Sequence, residues 1–349
     1  MKKLFCIVLL AAIFSCKNES NIDFKPSFKT VTADTLLKDD ISIRALLVDG
    51  DKIWYAGSNG KYGQIALADG TSLNGVVGGD DALPEFRSIA HTEEAVFILN
   101  AGSPAALYKI SKNGKQVRKV YSETGTTVFY DSMEFYNNKE GIAMGDPTDK
   151  CLSVIITRDG GDTWEKMVCG NLPETGEGEA AFAASDTNLI IKDDNTWMVS
   201  GGRKSRVFHS PDKGKSWKVY DTPIVQGSEM SGIFSADFYN DKIGFAVGGD
   251  FEKPKNNKGN KIITTNGGKK WKTVGNNTGF GYASCVQFVP ESNGNELVTA
   301  GPSGIYYSYD SGENWEQIYD DKTLYTLRFA DNKTMITAGQ NKIVRLKLE

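Results

Sequence analysis

The sequence predicts an all-β protein in which similar antiparallel sheets recur along one chain. Three observations carry that reading. An eight-residue turn occurs four times, ending at Trp164, Trp217, Trp271 and Trp315, with spacings of 53, 54 and 44 residues. Each copy lies between β-rich runs, as Val154-Ile155-Ile156 precedes the first and Trp217-Lys218-Val219-Tyr220 follows the second. The 349 residues include 37 glycines but only 10 prolines, with 40% hydrophobic residues, which suits many tight turns around a substantial core. The net charge of −4, about −6 without Lys2 and Lys3, offers no basic field for nucleic acid. Only His91 and His209 are present, so a three-histidine metal site is excluded.

Taken in chain order, the first element is an address. Met1-Lys2-Lys3 is basic, residues 4–14 are apolar but too short to span a bilayer, and Ile13-Phe14-Ser15-Cys16 resembles the lipobox of bacterial lipoproteins. The expected organisation is a signal peptide over 1–15, a tether over 16–27 acylated at Cys16, and a folded body over 28–349. The resemblance implies a protein held by lipid in the cell envelope, outside the cytoplasm, with no other membrane contact. Cys151 and Cys169 flank the turn at Gly160-Gly161 symmetrically and are placed to form a disulfide, whereas Cys285 lies in an apolar strand as a buried thiol.

The four turns read Thr157-Arg158-Asp159-Gly160-Gly161-Asp162-Thr163-Trp164, Ser210-Pro211-Asp212-Lys213-Gly214-Lys215-Ser216-Trp217, Thr264-Thr265-Asn266-Gly267-Gly268-Lys269-Lys270-Trp271 and Ser308-Tyr309-Asp310-Ser311-Gly312-Glu313-Asn314-Trp315. The acidic or amide side chain can accept bonds from turn N–H groups, glycine permits positive φ, and tryptophan packs between sheets. These segments resemble the Asp-box, or BNR, repeat of sialidases and related β-propellers. With weaker copies, seven inner strands open at Ile43-Arg44-Ala45-Leu46, Phe86-Arg87-Ser88-Ile89, Tyr130-Asp131-Ser132-Met133, Glu179-Ala180-Ala181-Phe182, Ser231-Gly232-Ile233-Phe234, Tyr282-Ala283-Ser284-Cys285 and Leu324-Tyr325-Thr326-Leu327. The expectation is a seven-bladed β-propeller, with Phe28-Lys29-Thr30-Val31 supplying the strand that closes the last blade.

Gly57-Ser58-Asn59-Gly60, Gly145-Asp146-Pro147, Gly176 to Ser185, Gly248-Gly249-Asp250, Lys253-Pro254 and Gly301-Pro302-Ser303-Gly304, together with the openings at Phe86 and Ser231, extend the likeness over nearly the whole body. In these residues the chain resembles propellers of the photosystem II stability/assembly-factor type. Members of that family assist assembly of a membrane complex, so the resemblance implies a binding or assembly scaffold without cofactor.

In such a fold the starts of the inner strands converge on the channel mouth. Arg44, Arg87, Asp131, Glu179, Ser231, Tyr282 and Tyr325 are therefore the candidate ligand-binding residues, with Asp146, Arg203 and Asp250, and also Asn59, Ser103, Ser303 and Gln340, as an outer ring. A concave polar site of this kind suits a protein or a small polar or glycan ligand. A purely structural role would instead pair Arg44 and Arg87 with Asp131 and Glu179. The catalytic alternative is a sialidase-like glycosidase, whose arginines, carboxylic acid and tyrosine nucleophile find residue types among the same set. A third convergent arginine is missing, and Phe86-Arg87-Ser88-Ile89 departs from the Phe-Arg-Ile-Pro pattern. Gly176-Glu177-Gly178-Glu179-Ala180-Ala181 fits a dinucleotide fingerprint only formally, since no βαβ unit surrounds it. The acidic loops at Asp146 and Asp250 read as solvated turns, and no metal is expected.

Overall fold

The computed structural model describes residues 24–78 and 83–349; the expected leader and Cys16 lie outside them. The fold is an all-β propeller, but the expected seven blades are corrected to six. The described strands form six hydrogen-bonded sheets, four of four strands and two of six. The reason lies in strand Val31–Asp49, which is unbroken over 19 residues. Its first half pairs with Thr334–Leu348, Val31 opposite Leu348. Its second half pairs with Lys52–Gly57, Asp49 opposite Lys52. The sheets expected as first and last therefore share one strand, which covers both of their edges. Just before it, Lys29 and Thr30 donate their N–H groups to Glu349 O at 2.7 and 2.9 Å.

The second departure is at Glu179-Ala180-Ala181-Phe182, expected to open an inner strand. Only Glu179–Ala180 is extended there, pairing with Gly201–Gly202 at the edge of the sheet that contains Ser231–Phe238. Gly202 has a φ of 93°, and a Cβ there would lie 2.2 Å from Gly178 O, so only glycine permits this close crossing. The chain then runs through the middle of the ring before Leu189–Lys192 takes the inner-strand role, paired with Asn195–Val199. Residues 181–188 thus form a plug. Ala236 N donates to Thr187 O, Thr326 Oγ1 to Ser185 O, and Ser185 Oγ to Ser284 O, which ties the plug to strands from several sheets.

The four turn repeats each join the last two strands of a sheet, as Leu152–Thr157 to Glu165–Lys166. In all four, the leading hydroxyl accepts the glycine N–H four residues on, at 2.8–3.1 Å. The Asp or Asn side chain accepts the N–H of the residue four further on, at 2.8–3.0 Å. Trp217, Trp271 and Trp315 donate their indole N–H to the turn glycine carbonyl at 2.9–3.1 Å. Trp164 instead packs edge-on against Phe97 and Phe135. Burying each such aromatic between sheets is worth about 2–3 kcal/mol, and the core is divided accordingly: Phe97 and Leu107 of one sheet meet Tyr130, Ala143 and Trp164 of the next. Cys151 and Cys169 are joined, with Cα atoms 5.5 Å apart, and Cys285 is a buried free thiol.

Candidate functional site

The inner strands do not run straight into the channel mouth. In five inner strands a register shift near the start leaves one residue without a partner: Arg44 between Ile43 and Ala45, Arg87 between Phe86 and Ser88, Asp131 between Tyr130 and Ser132, Phe234 between Ile233 and Ser235, and Tyr325 between Leu324 and Thr326. A bulge turns its extra side chain away from the regular alternation. Here the bulges recur in one pattern: an apolar residue, the bulged residue, then a small Ala, Ser or Thr. Ser284 holds the matching place in its strand, since both its N–H and its hydroxyl reach Ala300 O, whose residue is paired with Cys285.

Above the plug lies a cleft of about 400 Å³ lined by the bulged Arg44, Arg87 and Phe234 with Asp146, Phe182 and Tyr282, among others; Asp131 and Tyr325 are not in its lining. Arg44 donates to Ala184 O at 2.9 Å, and its guanidinium lies 4.2 Å from the Tyr325 ring centroid. Arg87 donates to Ala183 O at 3.1 Å and to Glu85 at 3.1 Å. Burial, then repulsion from Arg87, lowers the proton affinity of Arg44, which nevertheless stays charged at neutral pH. Across the cleft, Phe182 stacks on Phe234 at 3.9 Å, Phe234 meets Tyr282 edge-on at 4.7 Å, and Tyr282 meets the half-exposed Phe251 at 5.3 Å. One wall is cationic and the other aromatic.

Asp131 is completely buried beside this cleft, and neither carboxyl oxygen has a hydrogen-bond partner. Burial, reinforced by Asp146, pushes its carboxyl well above the usual range, with Arg87 opposing. Burial also raises Asp146, against the bond it accepts from Ala181 N at 2.8 Å. Three residues further down the same strands, Glu134, Asp237 and Arg328 line a separate cavity of about 160 Å³ with Asp186 and Lys192. The plug passes between the two cavities, and Arg328 donates to Ser185 O and Asp186 O at 3.1 and 3.0 Å.

Several expected site residues lie elsewhere. Glu179 is removed from the mouth by its ion pair with Arg206 and by accepting from Ser200 and Gly176, so it pairs with neither Arg44 nor Arg87. Arg44 and Arg87 make no ion pair with Asp131 either; plug carbonyls hold them instead. Ser231 bonds within its own turn to Ser228 O, and the bulged residue of that strand is Phe234, three positions on. Arg203 is at the exposed rim with Glu229, and Asp250 holds its turn through Lys253 and Glu252 N. Tyr282 is present at the cleft, but burial raises its phenol pKa. His209 stacks on Trp197, and His91 contacts Asp49 and Lys112, both away from the cleft.

No family model matches the chain. Over 196 residues, 49% of this chain, it is 26% identical to the oligoxyloglucan-reducing end-specific xyloglucanase of Emericella nidulans, of whose length the match covers 23%. Among solved structures, YCF48 bound to D1 peptide aligns with a TM-score of 0.65 and 13% identity, covering 93% of this chain and 97% of that one. Streptogramin B lyase aligns at 0.67 and 14%, covering 93% and 100%. At such identities these structures show the propeller fold alone.

Proposed function

We propose that this chain is a lipid-anchored, extracytoplasmic binding scaffold that holds a protein or small polar ligand over its channel mouth. The observation that carries the reading is the cleft itself: two guanidiniums face an aromatic wall across about 400 Å³, on a face built from strands of different sheets. A neighbour of the same fold is known with a peptide bound, which fits a protein ligand. The four turns, with their common hydroxyl, carboxylate or amide, and indole bonds, fit the Asp-box repeat. The lipid anchor rests on Ile13-Phe14-Ser15-Cys16 and the polar residues that follow it. Capture of envelope partners by the wild-type chain and by Arg87→Glu tests the mouth: retention of every specific partner by the variant refutes it. Membrane partition of Cys16→Ser tests the anchor, which is refuted if that variant stays with the membrane.

The partial match to a xyloglucanase favours one second reading, glycoside hydrolysis at the same cleft. Asp146 and Glu229 are the carboxyl groups that line it, and burial raises Asp146 as a general acid requires. A tyrosine nucleophile is disfavoured, because Tyr282 is held among Phe234 and Phe251 with its phenol pKa raised. Turnover of xyloglucan oligosaccharides or a fluorogenic sialoside, lost in Asp146→Asn, would replace the scaffold reading.

A further inference from the structure

We infer that the cleft takes a carboxylate joined to an apolar body, the carboxylate seated between Arg44 and Arg87 and the body lying on Phe182, Phe234, Tyr282 and Phe251. This deepens the proposed scaffold function and rests on it. The argument begins with how the two cations are held. Each spends one Nη group on a plug carbonyl, at Ala184 O and Ala183 O. A carbonyl orients a guanidinium without neutralising it. Arg87 has one carboxylate, Glu85, at 3.1 Å; among the described residues Arg44 has no ion-pair partner, and its buried Nε has no hydrogen-bond partner. The two positive groups also repel each other. An anion between them relieves that repulsion and gives Arg44 an ion-pair partner.

The other carboxyl groups at the cleft do not fill this role. Asp146 is directed at Ala181 N, and Glu229 is tied at 3.1 Å to Arg203 on the rim. Their presence sets a limit on the ligand, since a strongly polyanionic group would meet two carboxyls as well as two guanidiniums. The opposite wall sets the second requirement. The aromatic series from Phe182 to Phe251 continues outward from the floor, and Phe251 is 51% exposed at its end. An apolar or aromatic group can cover that surface while its acid reaches the arginines. The volume holds a body about the size of one or two amino-acid side chains. Two sources present this chemistry: the C-terminal residue of a polypeptide ending in an apolar side chain, and a free aryl or alkyl carboxylic acid.

Isothermal titration of the full mature chain separates the possibilities, using N-acetyl-Ala-Ala-Phe as the free acid, the same peptide as its C-terminal amide, and 3-phenylpropanoate. The acid peptide is expected to bind, and the amide to bind about tenfold or more weakly, because it loses charge-assisted bonds to both guanidiniums. A peptide affinity well above that of 3-phenylpropanoate supports a chain end, and equal affinities support the small acid. Phe251→Ala is expected to weaken the acid peptide severalfold. Arg44→Gln is expected to narrow the difference between acid and amide; should it fail to fold, the acid and amide titrations of the wild type still decide. Equal binding of acid and amide, or no binding of any probe at millimolar concentration, overturns the inference. If that happens while Arg87→Glu still abolishes capture of a partner, only the ligand class is wrong. If Arg87→Glu also leaves capture intact, the scaffold reading falls with it.

Discussion

The ion pair between Glu179 and Arg206 controls where the chain leaves its sheet to become the plug, and its removal is the sharpest test of that architecture. The Glu179 side chain is wholly buried and Arg206 is 13% exposed. Glu179 accepts from Gly176 N at 2.6 Å, Ser200 Oγ at 2.5 Å, Arg206 Nε at 3.0 and 3.1 Å and Arg206 Nη2 at 2.5 Å. Glu179→Ala therefore strands a guanidinium in a site that rehydrates it only in part. Breaking one side of a buried pair costs about 3–5 kcal/mol. Arg206 keeps its bond to Glu174 O at 2.8 Å and its place over the Phe208 ring, so the low end, about 3 kcal/mol, is expected. Replacing both partners with apolar side chains, as in Glu179→Met with Arg206→Leu, is expected to recover most of the loss, since neither charge is then left buried. Urea denaturation followed by tryptophan fluorescence measures both variants. A loss below about 1 kcal/mol for the single variant, the range of an exposed pair, or a double variant no better than the single one, would refute the reasoning.

Three further outcomes are expected. Asp212→Ala removes the acceptor for Lys215 N, Ser216 N and Ser216 Oγ, and is expected to cost about 1–2 kcal/mol in the same assay while leaving the other turns intact. Separating Cys151 from Cys169 by Cys151→Ser opens a loop of 18 residues and is expected to cost about 3 kcal/mol, read as a lower melting temperature that reductant lowers no further. Burial pushes the Asp186 carboxyl up to about 8, with Arg328 opposing and Glu134 adding to the shift. Between about pH 4 and pH 8 the unfolded state then releases a proton that the folded state keeps, so stability falls as pH rises through that window; Asp186→Asn is expected to flatten the dependence, checked by urea midpoints at several pH values.

The turn repeats were legible because their chemistry is local. A hydroxyl, a carboxylate or amide two residues on and a glycine two beyond that satisfy one another within a single loop, whatever the rest of the chain does. Arg44, Arg87, Asp131 and Tyr325 were legible for a related reason, since each stands after an apolar residue and before a small one at the start of an inner strand. The same pattern, Ile233-Phe234-Ser235-Ala236, could have identified Phe234 in place of Ser231. Residues 179–188 were not legible from their opening, because Glu179-Ala180-Ala181-Phe182 resembles the other strand starts. The distinguishing signal follows it: Ser185-Asp186-Thr187-Asn188 is a polar run, with Ser185, Asp186 and Thr187 bonding groups on several strands. The partner of Glu179 lies 27 residues away, on a strand whose position depends on the plug itself. The blade count differs for a similar reason, because the residues joining the two halves of Val31–Asp49, Lys38-Asp39-Asp40, include no glycine or proline and the strand runs on through an irregularity in its pairing.

The plug changes what the bulged residues can do. In an open channel, Arg44 and Arg87 would be solvated and mobile, and a ligand would have to order their long side chains at a cost in entropy. With Ala183 O and Ala184 O as fixed acceptors, their orientation is set before anything binds. A carboxylate in place of those carbonyls would orient them equally well but would cancel the charge that the inferred recognition needs, as Glu85 does in part at Arg87. Backbone acceptors give direction and leave the charge of Arg44, so a segment that interrupts the regular succession of strands, and weakens the resemblance between one blade and its neighbours, is what the inferred anion site would depend on.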